Sequence, residues 1–495
     1  MPSFEIFNRN KANVLKVLAR KAFEGTVDAN TPEGIARELF PGRKPQYRCC
    51  VYKEREIIRE RTNMAMGRCP DGRIPENSGQ LVYVLEAACD DCNIHKVRIT
   101  DNCRKCLFKP CQQACHFDAI YQGDSKMHID YSKCKTCGMC ARVCAYGAIL
   151  ISERPCRKNC PTGALKHLPD EIAYINEDEC ISCGRCAASC PFGAISELSF
   201  LVPVINALKS SQKVVALVAP AVQGQFGKCS LNQIYRSITA LGFDSVVEVA
   251  RGADLTTVAE AEEALRAKAE GRRLTTSCCP AFVELIKKKF PKVYAENTSD
   301  TLSPMALTAR LVKKYDPECV TVFIGPCVAK KKEITLKKNQ GFVDYVLTFE
   351  ELTAMFEARG IDVAAADESD LQVINGSKSG RNFCHAGGVA QSLNAYLAEK
   401  GVADRLTLKA ADGSDMCVEY LKVLAAGRQE EDVLEGMMCQ GGCIAGVCSL
   451  VTNPNVVKRE AEKENAKADQ TSIGSVREYA SDIKTDYVKD DVSVK

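Results

Sequence analysis

The chain has 495 residues, 26% of them charged, and a formal net charge of +3 with no concentrated basic stretch, which argues against a nucleic-acid partner. No segment approaches the roughly 18 apolar residues of a membrane span. The start, MPSFEIFNRNKANVLKVLARKAFEG, is too polar for a secretory core, and no dinucleotide fingerprint or Walker loop occurs.

The composition therefore predicts a cytoplasmic protein of two to four domains. Its anomaly is 29 cysteines, better read in a reducing compartment as metal ligands than as disulfides. Nineteen lie before residue 200 and ten after, and the two groups obey different spacing rules. A boundary near residue 200 follows.

Residues 1–80 contain ANVLKVLARKAF with helical periodicity and read as a helical extension packing on the cluster-bearing region after it. Cys49, Cys50 and Cys69 show no ligand spacing and read as structural.

Residues 81–200 repeat one theme four times: CRKCLFKPCQQACHFDAI from Cys103, CKTCGMCARVCAYGAI from Cys134, CRKNCPTGAL from Cys156 and CISCGRCAASCPFGAI from Cys180. The second and fourth are the bacterial ferredoxin run, whose first three cysteines wrap one iron–sulfur cube while the fourth reaches its neighbour. By that crossing rule one cube takes Cys103, Cys106, Cys111 and Cys144. A second takes Cys134, Cys137, Cys140 and Cys115, and a third Cys180, Cys183, Cys186 and Cys160. Cys156 and Cys190 are left over, and the third run lacks its first two cysteines. Upstream, CDDC supplies Cys89 and Cys92, which completes sixteen thiols and a fourth cube by arithmetic. The other reading of Cys89 and Cys92 is a small zinc site or free thiols. Zinc ribbons lack the third and fourth cysteine of these runs, so the region reads as a one-electron conductor.

From about residue 205, KVVALVAPAV and CVTVFIGPC read as buried strands and ADLTTVAEAEEALRAKAEG as a helix, which is α/β architecture with sites at the strand ends. Three cysteine-bearing loops stand there: TSCCPAF at 276–282, GPCVAKKKE at 325–333 and EGMMCQGGC at 435–443. One cysteine from the first, one from the second and two from the third would make a closed thiolate site at a domain junction. Cys278 and Cys279 are adjacent on an extended segment and face opposite ways, so they do not easily share one small site. Residues 453–495 are charged and read as a peripheral helix with a mobile tail.

At these three loops the chain resembles the iron-only, or [FeFe], hydrogenases, which carry motifs of the forms TSCCPxW, PCxxKxxE and ExMxCxxGC in this order. The resemblance spans residues 205–450 and extends upstream through the ferredoxin-like runs. It implies an α+β and α/β chain: a ferredoxin-like multi-[4Fe–4S] domain at 81–200, then a two-lobed α/β H-cluster domain at 201–452. It implies an H-cluster, a [4Fe–4S] cube joined through a cysteine to a diiron unit with CO, cyanide and a dithiolate, beside three to four additional [4Fe–4S] clusters. Cys279, Cys327, Cys439 and Cys443 would ligate the cube, with Cys443 bridging. Lys330 would grip a cyanide, Glu333 would pair with that region, and Met437 would pack on the diiron pocket. Cys278 would be the last proton relay, followed by Glu260, Ser299 and Glu263. Without the resemblance, both glutamates read as a solvated helix face and Lys330 as one of a solvated lysine run.

Some positions differ from the family pattern. Ala281 and Phe282 stand where Gly-Trp is common, Gly325 where a methionine lines the pocket, and Ala221 where a serine is common, which predicts a roomier pocket with fewer donors. Cys229, Cys319, Cys384, Cys417 and Cys448 match no motif and read as buried structural thiols. The implied activity is reversible H2 oxidation and proton reduction, with a ferredoxin-like carrier and maturation proteins that deliver the diiron unit as partners. An H2 sensor and a non-catalytic iron–sulfur scaffold are the other functions this fold could serve; Cys278, Lys330, Glu333 and Met437 favour the enzyme.

Overall fold

The computed structural model describes residues 2–76, 79–89, 92, 95–167, 172–369, 373, 375–451, 453–465 and 482–489. Valine- and isoleucine-rich runs build the larger half, because a strand covered on both faces needs apolar residues at every position. Strands Ser245–Glu248, Val214–Val218, Val320–Ile324 and Tyr345–Leu347 form a parallel sheet in that order. Val214 to Val218 pair residue for residue with Val320 to Ile324, and both strands are buried throughout. A second parallel sheet places Val433–Met437 between Leu274–Thr275 and Leu408–Asp412. These sheets are the cores of two α/β lobes. Helix Ala250–Ala269, long and alanine-rich, packs against helices Pro304–Tyr315 and Gly388–Glu399.

The cysteine-rich half is built from antiparallel strand pairs. Val97–Ile99 pairs with Ile149–Ile151, enclosing the hairpin Ile120–Gln122 with Met127–Ile129. Val82–Val84 pairs with Ile195–Glu197, enclosing the hairpin Leu165–His167 with Ala173–Ile175. The second module therefore begins before the first and ends after it. The first module is an insertion, and its ends are joined: Ser152 N donates to Lys96 O at 2.7 Å. Neighbouring ends are what allow a whole module to be inserted without disturbing its host.

Two expectations need correction. Helix Pro2–Glu24 packs mainly on helices Phe349–Arg359 and Leu201–Leu208 of the larger half, while the cluster region is met by Val51–Ala65, by Arg48, which donates to Ala88 O, and by Lys11. Lys11 Nζ clamps the halves, at 2.8 Å from Glu197 Oε1 and 2.6 Å from Glu350 Oε2. The C-terminal stretch begins with helix Pro454–Asn465, as the charge pattern suggested, yet residues 482–489 are no loose tail. Leu302 N donates to Thr485 O at 2.8 Å and Tyr487 N to Asp300 O at 3.0 Å, while Ile483 and Tyr487 pack beside Leu255, Leu302 and Leu307. Residues 466–481 and 490–495, on which the rest of that expectation falls, lie outside the described residues.

Candidate functional site

Each motif loop leaves the carboxyl end of a parallel strand, and the four strand ends point to one crevice between the sheets. Leu274–Thr275 leads to Cys278 and Cys279, Val320–Ile324 to Cys327, Val433–Met437 to Cys439 and Cys443, and Val214–Val218 to Ala219 and Ala221. Cys279 caps helix Pro280–Lys289 and Cys327 caps helix Val328–Glu333, so both thiolates sit where a helix favours negative charge. Cys443 follows a glycine pair with φ of +88° at both residues. At Gly442 a Cβ would lie 2.5 Å from Ala386 N, so only glycine lets this loop close.

Cys278, Cys279, Cys327, Cys439 and Cys443 line one apolar cavity of about 90 Å³, together with Lys330, Met437, Met305, Phe323, Phe383 and Cys384. Burial, and then the negative charge of neighbouring thiolates, pushes Cys327 up to about 11 and Cys439 and Cys443 higher. Four half-buried thiols that line one cavity and resist ionisation fit an iron–sulfur cube, whose irons would replace the protons.

Cys278 lines the same cavity as its neighbour Cys279. Burial and then Glu260 raise Cys278 far above an ordinary thiol. Glu260 is fully buried; its Oε1 accepts from Ser277 N at 2.8 Å and Ser277 Oγ at 3.1 Å, while Oε2 has no hydrogen-bond partner among the described residues. Burial dominates these contacts and pushes Glu260 up to about 8. Ser299 stands beside it and donates to Glu263 Oε2 at 2.6 Å, and Glu263 also accepts from Asp300 N and Thr301 Oγ1, each at 3.0 Å. Cys278 lies within the field of Glu260, and Ser299, beside Glu260, bonds Glu263, so the four are neighbours in that order. The solvated-face reading holds for neither glutamate: Glu260 is 1% exposed and Glu263 is tied to three partners.

Lys330 is no solvated lysine either. Burial works against its charge, but Glu333 Oε2 at 2.7 Å outweighs that and keeps Lys330 above its ordinary value; in return Lys330 holds Glu333 ionised despite burial. Ser303 Oγ donates to the other Glu333 oxygen at 2.6 Å.

The expected extra room at Gly325 is absent. A Cβ there would sit 2.7 Å from the Phe323 ring, which fills that part of the wall. Cys384, expected to be a buried structural thiol, is buried but also lines the cavity, and burial pushes its thiol up to about 12. Ser277, Thr301 and Phe323 were also missed. A search for hydroxyls flanking the motif cysteine would have found Ser277, whereas the others depend on loops meeting in space. Cys319, Cys417 and Cys448 are buried, Cys229 is half-buried, and Cys49 is exposed with its Sγ 4.0 Å from Cys50 Sγ, so these two are not core thiols.

In the inserted module, Cys103, Cys106, Cys111 and Cys144 wall a cavity of about 40 Å³, and Cys140 feels Cys134 and Cys115. In the host module Cys180 and Cys183 share a neighbourhood with Cys160 and Cys186. Cys156 is pushed up to about 12, first by burial and then by Cys190, Cys92 and Cys89. The leftover four are therefore neighbours. Cys183 lines the same cavity as Cys439, so the host module abuts the crevice.

Residues 212–447 match the family "Iron only hydrogenase large subunit, C-terminal domain", residues 151–201 match the LdpA Fe-S cluster-binding domain, and residues 126–149 match a 4Fe-4S binding domain. The chain is 27% identical over 456 residues to Iron hydrogenase 1 of Clostridium pasteurianum, covering 81% of this chain and 78% of that protein. It is 30% identical over 377 residues to the Periplasmic [Fe] hydrogenase large subunit of Nitratidesulfovibrio vulgaris, covering 65% and 86%. A shorter match, 36% over 89 residues, covers 18% of this chain and 19% of the Cytosolic Fe-S cluster assembly factor NAR1 of Kluyveromyces lactis. Among the described residues no helix is long and apolar enough to cross a membrane.

Proposed function

Because this chain belongs to the iron-only hydrogenase family, we propose that it interconverts H2 with two protons and two electrons at an H-cluster held by Cys279, Cys327, Cys439 and Cys443. The carrying observation is the meeting of those four cysteines, from three distant loops, in one cavity that Cys278, Lys330 and Met437 also line. When bound, the H-cluster would supply the centre at which H2 is cleaved or formed.

The chain's own residues move the protons and exclude water. Cys278 exchanges a proton with Glu260, which burial keeps mostly protonated at neutral pH. Ser299 passes it to Glu263 at the edge of the fold. Lys330, fixed by Glu333, would offer a cation to the anionic ligands of a bound diiron unit, and Met305, Phe323, Phe383 and Met437 keep that wall apolar. The cubes held by residues 81–200 would carry electrons one at a time from the host module to the module inserted in it, residues 97–151, and then to a ferredoxin-like carrier. Four cubes suit the sixteen thiols, the fourth on Cys89, Cys92, Cys156 and Cys190. A cytoplasmic setting suits 29 reduced cysteines, and maturation proteins would deliver the diiron unit.

The scaffold reading has one specific support, the short match to the assembly factor. Infrared spectroscopy of the matured protein decides between them. CO and cyanide bands together with H2 turnover are expected; their absence after successful maturation of a control hydrogenase overturns the enzyme reading. Bands without turnover would favour the sensor.

A further inference from the structure

The proposed function needs an outer end of the wire where electrons are exchanged. The run at Cys103 departs from the other two complete runs of this chain in a way the cube does not require. Four residues, Leu107, Phe108, Lys109 and Pro110, separate Cys106 from Cys111, whereas two separate Cys137 from Cys140 and Cys183 from Cys186. The next helical turn begins with a left-handed residue in all three runs. It is Gly138 and Gly184 in two of them, and Lys109, with φ of +44°, in the third. A lysine stands where glycine adopts that conformation at less cost.

The additional residues are displayed, not packed. Leu107 is 88% and Phe108 79% exposed, and Tyr146, which walls the same cube's cavity beside Lys109 and Arg104, is 55% exposed. Single exposed apolar side chains are ordinary, but a contiguous Leu-Phe pair beside an exposed tyrosine is the form of a protein-docking anchor. The surroundings are cationic. From Asn102 to Phe117 there are three cations, Arg104, Lys105 and Lys109, and no carboxylate. Counting side chains alone, the inserted module, residues 97–151, has eight Lys or Arg against four Asp and no Glu; two [4Fe–4S]2+ cubes on eight thiolates would offset that +4 with −4, so the positive charge is local to the loop that carries Arg104, Lys105 and Lys109.

We propose that Leu107 and Phe108, on the loop whose Arg104 and Lys109 line the cube cavity with Tyr146, form the docking surface for an acidic one-electron carrier protein, which hands electrons to or takes them from the cube of Cys103, Cys106, Cys111 and Cys144. Charge complementarity selects the occupant: a carboxylate-rich protein is steered to the cations of this loop, Arg104, Lys105 and Lys109, and the apolar pair seats it. Electron-transfer pairs bury little area, so so small an anchor suffices. Each encounter moves one electron, the carrier being oxidised as the cube is reduced or the reverse. This inference rests on the proposed function only for the direction and use of those electrons.

The test uses the full chain with its [4Fe–4S] clusters reconstituted and a small acidic two-[4Fe–4S] ferredoxin as probe. The variants are Leu107→Ser with Phe108→Ser, and separately Arg104→Glu. Binding is followed by calorimetry at several salt concentrations, and one-electron transfer from the reduced probe by stopped flow; neither depends on H2 chemistry. Iron content and reduction by methyl viologen, a small dye that needs no docking site, report intact clusters. The apolar double variant is expected to weaken binding about tenfold or more and to slow transfer from the probe but not from the dye. Arg104→Glu is expected to flatten the salt dependence. Unchanged probe binding in both variants overturns the proposal, as does a change of oligomeric state in the double variant, which would make this face a contact between copies of the chain. If H2 turnover fails while these binding results hold, the proposed function falls and the docking surface stands.

Discussion

Replacing Glu260 with Gln removes a relay group whose protonation near neutral pH the fold dictates. Burial lifts this carboxyl from an ordinary 4.5 to about 8, so about nine molecules in ten carry its proton at pH 7. The folded state holds the proton more tightly than the unfolded chain. Its contribution to stability is therefore complete below pH 4.5 and lost as pH rises toward 8. At ~1.36 kcal/mol per pH unit, the loss reaches about 3 kcal/mol by pH 7, and about 2 kcal/mol of loss falls between pH 6 and pH 8. Glutamine can still accept from Ser277 through its carbonyl oxygen but cannot ionise, so Glu260→Gln should lack this pH dependence.

Two measurements check it. Difference infrared spectra should show a protonated-carboxyl band in the wild type that titrates near pH 8 and is missing from the variant. Hydrogen exchange in helix Ala250–Ala269 should show the variant gaining protection relative to the wild type as pH rises from 6 to 8. A band titrating near pH 4.5, or exchange that diverges in neither direction, would refute the assignment of a buried, mostly protonated Glu260. Turnover should also fall about a hundredfold or more, since the variant cannot pass a proton.

Four further outcomes are expected. Cys278→Ala should abolish H2 turnover while leaving the cluster's spectrum nearly intact; retained turnover would reject the relay. Glu333→Gln removes the charge that holds Lys330, and breaking a buried pair costs ~3–5 kcal/mol, so diiron loading, read as iron per protein and CO bands, should fall sharply. Cys156→Ser should lower iron by about four atoms per protein and leave the other clusters' EPR signals; unchanged iron would remove the fourth cube. Deleting residues 482–495 unpairs Leu302 N and Asp300 O and uncovers Tyr487's packing site, so exchange at Leu302 should quicken about tenfold or more, and protection unchanged at that amide would show that the strap contributes nothing.

Local spacing made three ligand sets legible, because a loop of two-residue gaps closes around a cube without help from the rest of the chain. Alternation of apolar runs and helices announced the α/β half for the same reason, and the three motif loops carried the residues of the crevice. The sequence could count Cys89, Cys92, Cys156 and Cys190 but could not explain why they are split. Only the folded chain shows that a complete module is inserted between Cys92 and Cys156, its joined ends restoring the interrupted run. The same limit hid Cys384 beside Cys443 and residues 482–489 against the Ser299 segment. Each is a contact between residues far apart in the chain, decided by which surfaces bury each other, and no local pattern records it.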